Sequence, residues 1–289
     1  MENIEDWKKA GKIAGQVLQY GKGLIVKGAS YLDVIEKIEA KIKELGGEPA
    51  FPPQMSMNDV AAHFTVDADE DVKFENQVVS LDVGVHINGA IGDTACTVDL
   101  SGKYPELVKA SEEALKEAIK VVKPGVKVSE IGKIIEETIK RFGFVPIRNL
   151  SGHGLDLYNI HSAPSIPNYD NGSSETLKKG QIIAIEPFAT NGAGLIYETD
   201  RANIFSVVKK KPIRSATARR VLKEIESYNG LPFTTRNIKV PMAAIGLREL
   251  EQAGIIRAYP PLPDKNHGIV TQAEHSLIVD DEAVVLTKP

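Results

Sequence analysis

Apolar residues recur at helical spacing in the first part of the chain. Trp7, Ala10, Ala14, Val17 and Leu18 share one face, and Leu32, Ile35, Ile38, Ile42 and Leu45 share another, which predicts two amphipathic helices. The period then changes to two. Val79, Leu81, Val83 and Val85 alternate with Ser80, Asp82 and Gly84, the pattern of a half-buried strand over Val78 to Val85. Asn88-Gly89 follows, the strongest two-residue hairpin signal, and Ala90 to Val98 returns as the partner strand. Helices are expected over Pro105 to Val122 and Val128 to Phe142, a strand over Gln181 to Glu186, and a last strand over about Val270 to Val279. This order predicts an α+β fold, with helices covering one face of a curved antiparallel sheet.

Parts of the pattern are copies of each other. FENQVVSLDVG, from Phe74 to Gly84, matches KKGQIIAIEPFA, from Lys178 to Ala189, and sets Gln77 against Gln181 and Asp82 against Glu186, both 104 positions apart. Upstream, Gly28, Ile38, Glu39, Ile42, Lys43, Gly46 and Pro49 face Gly125, Ile135, Glu136, Ile139, Lys140, Gly143 and Pro146 at 97, and His63 faces His161 at 98. The offset grows where surface loops take insertions. A duplicated half-domain follows, whose pseudo-twofold axis brings equivalent strand ends together with their acids and histidines. Chance likeness of two amphipathic helices leaves the paired acids unexplained. Between Thr199 and Leu262 the texture changes. Helix-like stretches at Ala216 to Tyr228 and Met242 to Ala253 have no counterpart in the first half, so residues 199–262 are expected to form a helical subdomain inserted into a catalytic domain of residues 1–198 and 263–289.

Composition narrows the class. Apolar content of 42% over 289 residues supports one large core or a core with an appendage. No run of about 18 apolar residues occurs, and MENIEDWKKAGKIAG lacks the apolar stretch of a signal peptide, so no membrane role and a cytoplasmic location are expected. A single cysteine, Cys96, excludes an internal disulfide framework and a cysteine-built metal cluster. The net charge of −4 argues against unspecific nucleic-acid binding and leaves room for a local basic patch.

The hairpin carries the first chemistry. Around Asn88-Gly89, facing residue numbers sum to 177, so Asp93 lies opposite Gly84 and diagonal to Asp82 on the same face. Two acids placed so repel unless a cation sits between them, and Gly84 is expected to leave room for it. Cys96 falls opposite Leu81 on the apolar face, as a core residue. In TQAEHSLIV, Glu274 shares a face with Gln272 and Ser276, and His153 lies in SGHG, where flanking glycines allow close approach. A lone strand-end acid is more often a cap or a solvated charge. Asp82, Asp93, His153, Glu186 and Glu274 taken together form a ligand set suited to Mn, Fe(II), Co or Zn, and the number of acids favours two ions. His63 and His161 are matched across the repeat. His86, His267 and His275 are not, and are read as structural.

At these residues the sequence resembles the methionine aminopeptidases of the type 2 branch, in the pita-bread fold. AFPPQMSMNDVAAHFT, LDVGVHINGAIGDTA, NLSGHGLDLYNIHSAPSIPN, AIEPFATNGAG, AYPPL and TQAEHS look like that family's blocks in order, and the separation of 88 positions from Glu186 to Glu274 fits the type 2 insertion. With its first helix near the start, the chain resembles the short archaeal form. The resemblance implies a dinuclear centre on Asp82, Asp93, His153, Glu186 and Glu274 with a bridging water or hydroxide, and removal of the initiator methionine when the second residue is small. It implies that Glu186 relays the proton to the leaving amine, that His161 stabilises the oxyanion, and that His63 contacts the substrate backbone. The methionine pocket maps onto Phe51, Ile160, Phe188, Pro232 and Tyr259. One departure is Ala273 before the last ligand, where a phenylalanine is expected.

Two other readings compete. A proline-specific peptidase of the same fold uses a similar centre behind a large preceding domain, and non-catalytic members bind RNA or protein after losing ligands. The chain is expected to be a monomer acting on N-terminal methionyl peptides of nascent proteins. The basic run Lys209, Lys210, Lys211, Arg214, Arg219 and Arg220 is either a solvated surface or a contact with ribosomal RNA.

Overall fold

The computed structural model describes residues 4–70 and 72–288. Helices α1 (Ile4–Leu24) and α2 (Tyr31–Glu44) lead into β1 (Glu48–Pro49), β2 (Gln54–Met57) and the hairpin β3 (Val78–Ile87) and β4 (Ala90–Asp99). The second half follows the same plan, with α3 (Pro105–Val121), α4 (Val128–Arg141), β5 (Val145–Pro146), β6 (Ser151–Asp156), β7 (Asn159–Pro167), β8 (Ile182–Ile185) and β9 (Phe188–Thr190). Then come β10 (Ile204–Val207), α5 (Ala216–Ile225), β11 (Phe233–Thr234), α6 (Ala243–Gln252) and β12 (Ile256–Tyr259), and the chain closes with β13 (Val270–Gln272), β14 (Glu274–Ile278) and β15 (Val284–Val285).

The main sheet is curved and antiparallel, in the order β1-β3-β4-β14-β8-β6-β7, with β2 on β3 and β15 on β14. Its helix-covered face buries two related cores. Ile35, Ile38 and Ile42 of α2 pack with Leu81 and Val83, while Ile131, Ile135 and Ile139 of α4 pack with Ile183, Ile185 and Leu277. Burying each such isoleucine stabilises the fold by roughly 1.5–3 kcal/mol. Serine starts α2, with Ser30 Oγ accepting from Asp33 N at 3.2 Å. Glycine ends both helices, Gly46 at φ +79° and Gly143 at +83°, a left-handed turn that other residues resist.

The repeat is physical as well as textual. Gly28 N donates to Phe74 O at 2.7 Å and Gly125 N to Leu177 O at 2.8 Å; Tyr31 N donates to Val72 O at 2.7 Å and Val128 N to Glu175 O at 2.9 Å. The matched glutamines also do one job: Gln77 Oε1 accepts from Glu75 N and Gln181 Oε1 from Lys178 N, each at 2.6 Å.

Two expectations need correction. The strand expected over Val270 to Val279 is two strands, because Ala273 leaves the ladder and its N–H turns to Pro187 O at 3.3 Å. Opposite it, Pro187 has no N–H to donate, so the chain breaks there too, and β13, β9 and β5 form a separate small sheet. Ala273 packs against Leu277 and Ile185 in the second core. Finally, residues 199–262 carry more than helices: α5 and α6 cover a three-stranded sheet, β11-β10-β12, around Phe205, Val221, Phe233 and Leu250. Four-residue apolar runs do not reveal their secondary structure by period. No described helix is long and apolar enough to cross a membrane.

Candidate metal centre

Sheet order assembles the ligand set. Strands β3, β4, β14, β8 and β6 are consecutive neighbours, and they supply, in turn, Asp82, Asp93, Glu274, Glu186 (one residue past the end of β8) and His153. The hairpin register is the expected one, with Gly84 facing Asp93 and Leu81 facing Cys96. Glu274 lies opposite Ala95, and His153 opposite Ala184. His153 Nε2 is 3.5 Å from Glu186 Oε1 and 3.9 Å from Asp93 Oδ2. Ligand atoms of Asp93, His153 and Glu274, all buried, lie within 4.8 Å of one another.

The electrostatics call for a cation. Burial lifts Asp82 to about 7 against a hydrogen bond from Gln272. Burial, and then the charge of Asp82, pushes Asp93 well above the carboxylate range. Burial and the neighbouring carboxylates do the same to Glu186 and Glu274. Four acids crowded in a dry space hold protons unless positive charge replaces them. Burial, and then His161, lowers His153 to about 3, so its imidazole is neutral. With Nδ1 donating to Gly154 O at 3.3 Å, the Nε2 lone pair faces the carboxylates. Asp82 Oδ1 is buried without a hydrogen-bond partner. An orphaned carboxylate oxygen beside a neutral imidazole and three further acids fits a divalent ion.

The five residues line a cavity of about 220 Å³. His63 and His161 line it too, as do Phe51, Ile160, Phe188, Pro232 and Tyr259. The His153 and His161 rings are 4.6 Å apart, edge to face. Burial, and then Arg257, lowers His161; burial, and then His161, brings His63 to about 4. His86, His267 and His275 lie outside the cavity, on Tyr158, Asp59 and Thr287. A wider groove of about 1310 Å³ runs along α6, and among the described residues no set of three potential ligands meets there.

Gly84 acts differently from expectation, whereas the glycines beside His153 allow the close backbone approach expected of them. A Cβ at Gly84 would overlap the Phe51 ring, so the space is filled by an aromatic side chain of the cavity wall and not by an ion. Cβ atoms at Gly152 and Gly154 would overlap Ala184 O and Ala163 O, so these glycines admit neighbouring backbone. Sequence reasoning also passed over Gln272, whose Nε2 donates to Glu186 Oε2 at 3.3 Å and which also hydrogen-bonds Asp82. Its position two residues before Glu274 was the available signal. Asn149 and Ile204 also line the cavity and had none.

A model of metallopeptidase family M24 matches residues 5–214. A methionine aminopeptidase of Thermococcus onnurineus is 45% identical over 99% of this chain and 100% of its own length, and one of Archaeoglobus fulgidus is 47% identical over 96% of each. The crystal structure of a methionine aminopeptidase from Thermotoga maritima superposes with a TM-score of 0.73 at 25% identity, covering 99% of this chain and 96% of that one.

Proposed function

Since the chain belongs to metallopeptidase family M24 and, within it, to the methionine aminopeptidases, we propose that its buried cluster hydrolyses the peptide bond after an N-terminal methionine. The observation that carries the reading is the convergence of five donors from five neighbouring strands, one of them an orphaned carboxylate oxygen. Asp82, Asp93, His153, Glu186 and Glu274 hold two divalent ions drawn from Mn, Co, Fe(II) or Zn. When bound, such ions supply Lewis acidity and lower the pKa of water, which makes a nucleophile available near neutral pH.

The chain's own residues do the rest. Phe51, Ile160, Phe188 and Tyr259 form an apolar wall for an unbranched thioether, and Phe188 is 1% exposed and Ile160 7%, which keeps water off it. Glu186 has Oε2 held by Gln272, which leaves Oε1 to take a proton from the attacking water and return it to the leaving amine. His161, neutral at working pH, donates to the oxyanion. His63, with Nδ1–H on Pro260 O at 3.3 Å, keeps Nε2 as an acceptor for a substrate amide N–H. The substrates are nascent chains with a small second residue. We assign residues 1–198 and 263–289 to the catalytic domain and 199–262 to an insertion, and read the chain as a cytoplasmic monomer whose basic run at residues 209–220 is either a solvated surface or a contact with ribosomal RNA.

The test is methionine release from Met-Ala-Ser by metal-stripped protein refilled with Mn, Co, Fe(II) or Zn, beside an Ala-Pro peptide. Release that is lost on stripping, restored by refilling and abolished in Asp93→Ala is expected. Cleavage of the proline peptide alone would move the protein to a proline-specific peptidase, and no turnover with any ion would favour a binding protein.

A further inference from the structure

Residues 61–67 bring His63 to the cavity and contain neither helix nor strand. His63 has φ +65°, a left-handed conformation that a non-glycine residue keeps only where its surroundings over-determine it. Those surroundings come from distant parts of the chain. On the upstream side, Ala61 N donates to Leu262 O at 2.8 Å and Leu262 N to Ala62 O at 3.2 Å. The N–H of His63 donates to Gln54 Oε1 at 2.6 Å. Downstream, Tyr31 Oη donates to Phe64 O at 2.9 Å, and Asn203 Nδ2 to Thr65 O at 3.1 Å.

Arg236 closes this frame. It stands in a 3-10 turn, Thr235–Asn237, of the segment 199–262. Its Nη1 donates to Val66 O at 3.1 Å and Thr65 Oγ1 at 3.3 Å, while Nη2 meets Glu39 Oε1 of α2 at 2.5 Å. The arginine side chain is 7% exposed and that of Glu39 20%, so the pair is largely shielded from water. Next to it, the Thr235 hydroxyl bonds the Asp67 carboxylate. A planar guanidinium serves three acceptors at once, which a lysine ammonium on a flexible stem does not reproduce.

Resting on the aminopeptidase reading above, we infer that Arg236 is a positioning residue for His63: it ties α2, the His63 segment and the inserted segment into one rigid frame that aims the imidazole at the substrate amide. The segment 199–262 then contributes to the reaction through this frame as well as through the cavity wall.

The test is a double-mutant cycle on the metal-refilled enzyme. Arg236→Ala, Arg236→Lys, His63→Ala and the Arg236→Ala/His63→Ala pair are compared with wild type for Met-Ala-Ser turnover and bound metal. Expected for Arg236→Ala is a fall in kcat of roughly tenfold to a hundredfold, the range for a misplaced polar contact, with metal content unchanged. Lysine recovers little. In the His63→Ala background the arginine substitution adds almost nothing, because its effect runs through that imidazole. Undiminished kcat, or the same fold-loss with and without His63, would overturn the proposal. Should Arg236→Ala not fold, Glu39→Gln carries the same cycle, because it weakens the ion pair and keeps the shape. A second readout does not depend on turnover. The imidazole resonances of His63, assigned with His63→Gln, shift in the Arg236 variant; unmoved resonances overturn the positioning role. Absence of methionine release from wild type would overturn the aminopeptidase reading alone.

Discussion

Asp82 shows how much of this protein is decided at single side chains. One of its oxygens is buried without a partner, and its carboxyl is lifted to about 7, against an ordinary value near 4. Asp93, Glu186 and Glu274 are likewise lifted well above the usual carboxylate range. Without cations, the folded chain therefore holds protons on these acids that the unfolded chain has lost, and the stability they contribute is present at low pH and disappears as pH rises through their folded values. The histidines act in the opposite direction. His63 and His153 are lowered to about 4 and about 3, so their effect is to raise stability with pH, and it is complete once pH passes the unfolded histidine value near 6.5. Well above that point the acids set the trend. The melting temperature of metal-stripped protein is expected to fall, on the order of 5 °C, between about pH 6.5 and 8.5, and refilled protein to show no such fall because cations replace the protons. A calorimetric series at both metal states checks this. A flat or rising curve for the stripped protein would mean that the acids are not crowded as described.

At the scale of elements, glycines decide how closely strands and rings approach. Gly84 and Gly154 both sit beside ligand-bearing positions, yet a methyl group would meet different neighbours at each. At Gly84 it would meet the movable Phe51 ring; at Gly154 it would meet the backbone oxygen of Ala163. Gly84→Ala is expected to displace Phe51 from the cavity wall and raise KM for methionyl peptides, with little loss of folded protein. Gly154→Ala is expected to lower stability by about 1–3 kcal/mol, since a strand cannot step aside as a ring can. Urea unfolding and steady-state kinetics on the two variants separate the outcomes, and a reversed ranking would refute the assignment. The breaks at Pro187 and Ala273 belong to this scale too. They end β8 and divide the last strand beside Glu186 and Glu274, so Glu186 sits one residue past its strand while Glu274 opens β14, still paired with Ala95.

At the scale of the molecule, the repeat and the insertion have separate duties. The duplicated halves bring their matched acids into one cavity, whereas the segment 199–262 supplies Ile204, Pro232 and Tyr259 to its wall. The outward side of that segment carries Lys209, Lys210, Lys211, Arg214, Arg219 and Arg220, all exposed. Lys211 and Arg219 rest on backbone carbonyls, Lys211 on Ala253 and Arg219 on Ile213 and Arg214. If this surface meets ribosomal RNA, reversing the charge of Lys209, Lys210 and Arg214 lowers ribosome co-sedimentation and makes its remaining salt dependence shallower, while tripeptide hydrolysis is spared. Unchanged co-sedimentation would leave a solvated surface.

The hydrophobic periods, the Asn88-Gly89 turn and the repeat offsets by themselves determined the helices, the central hairpin, the duplication and the five candidate ligands, because each depends on local spacing or on comparison of the chain with itself. Only the tertiary structure decided that those ligands sit on five neighbouring strands, that Phe51 fills the space above Gly84, that Gln272 bridges two of the acids, and that Arg236 reaches the His63 segment. These are contacts between residues far apart in the chain. Local pattern carries no record of such distances, whereas packing and burial set them.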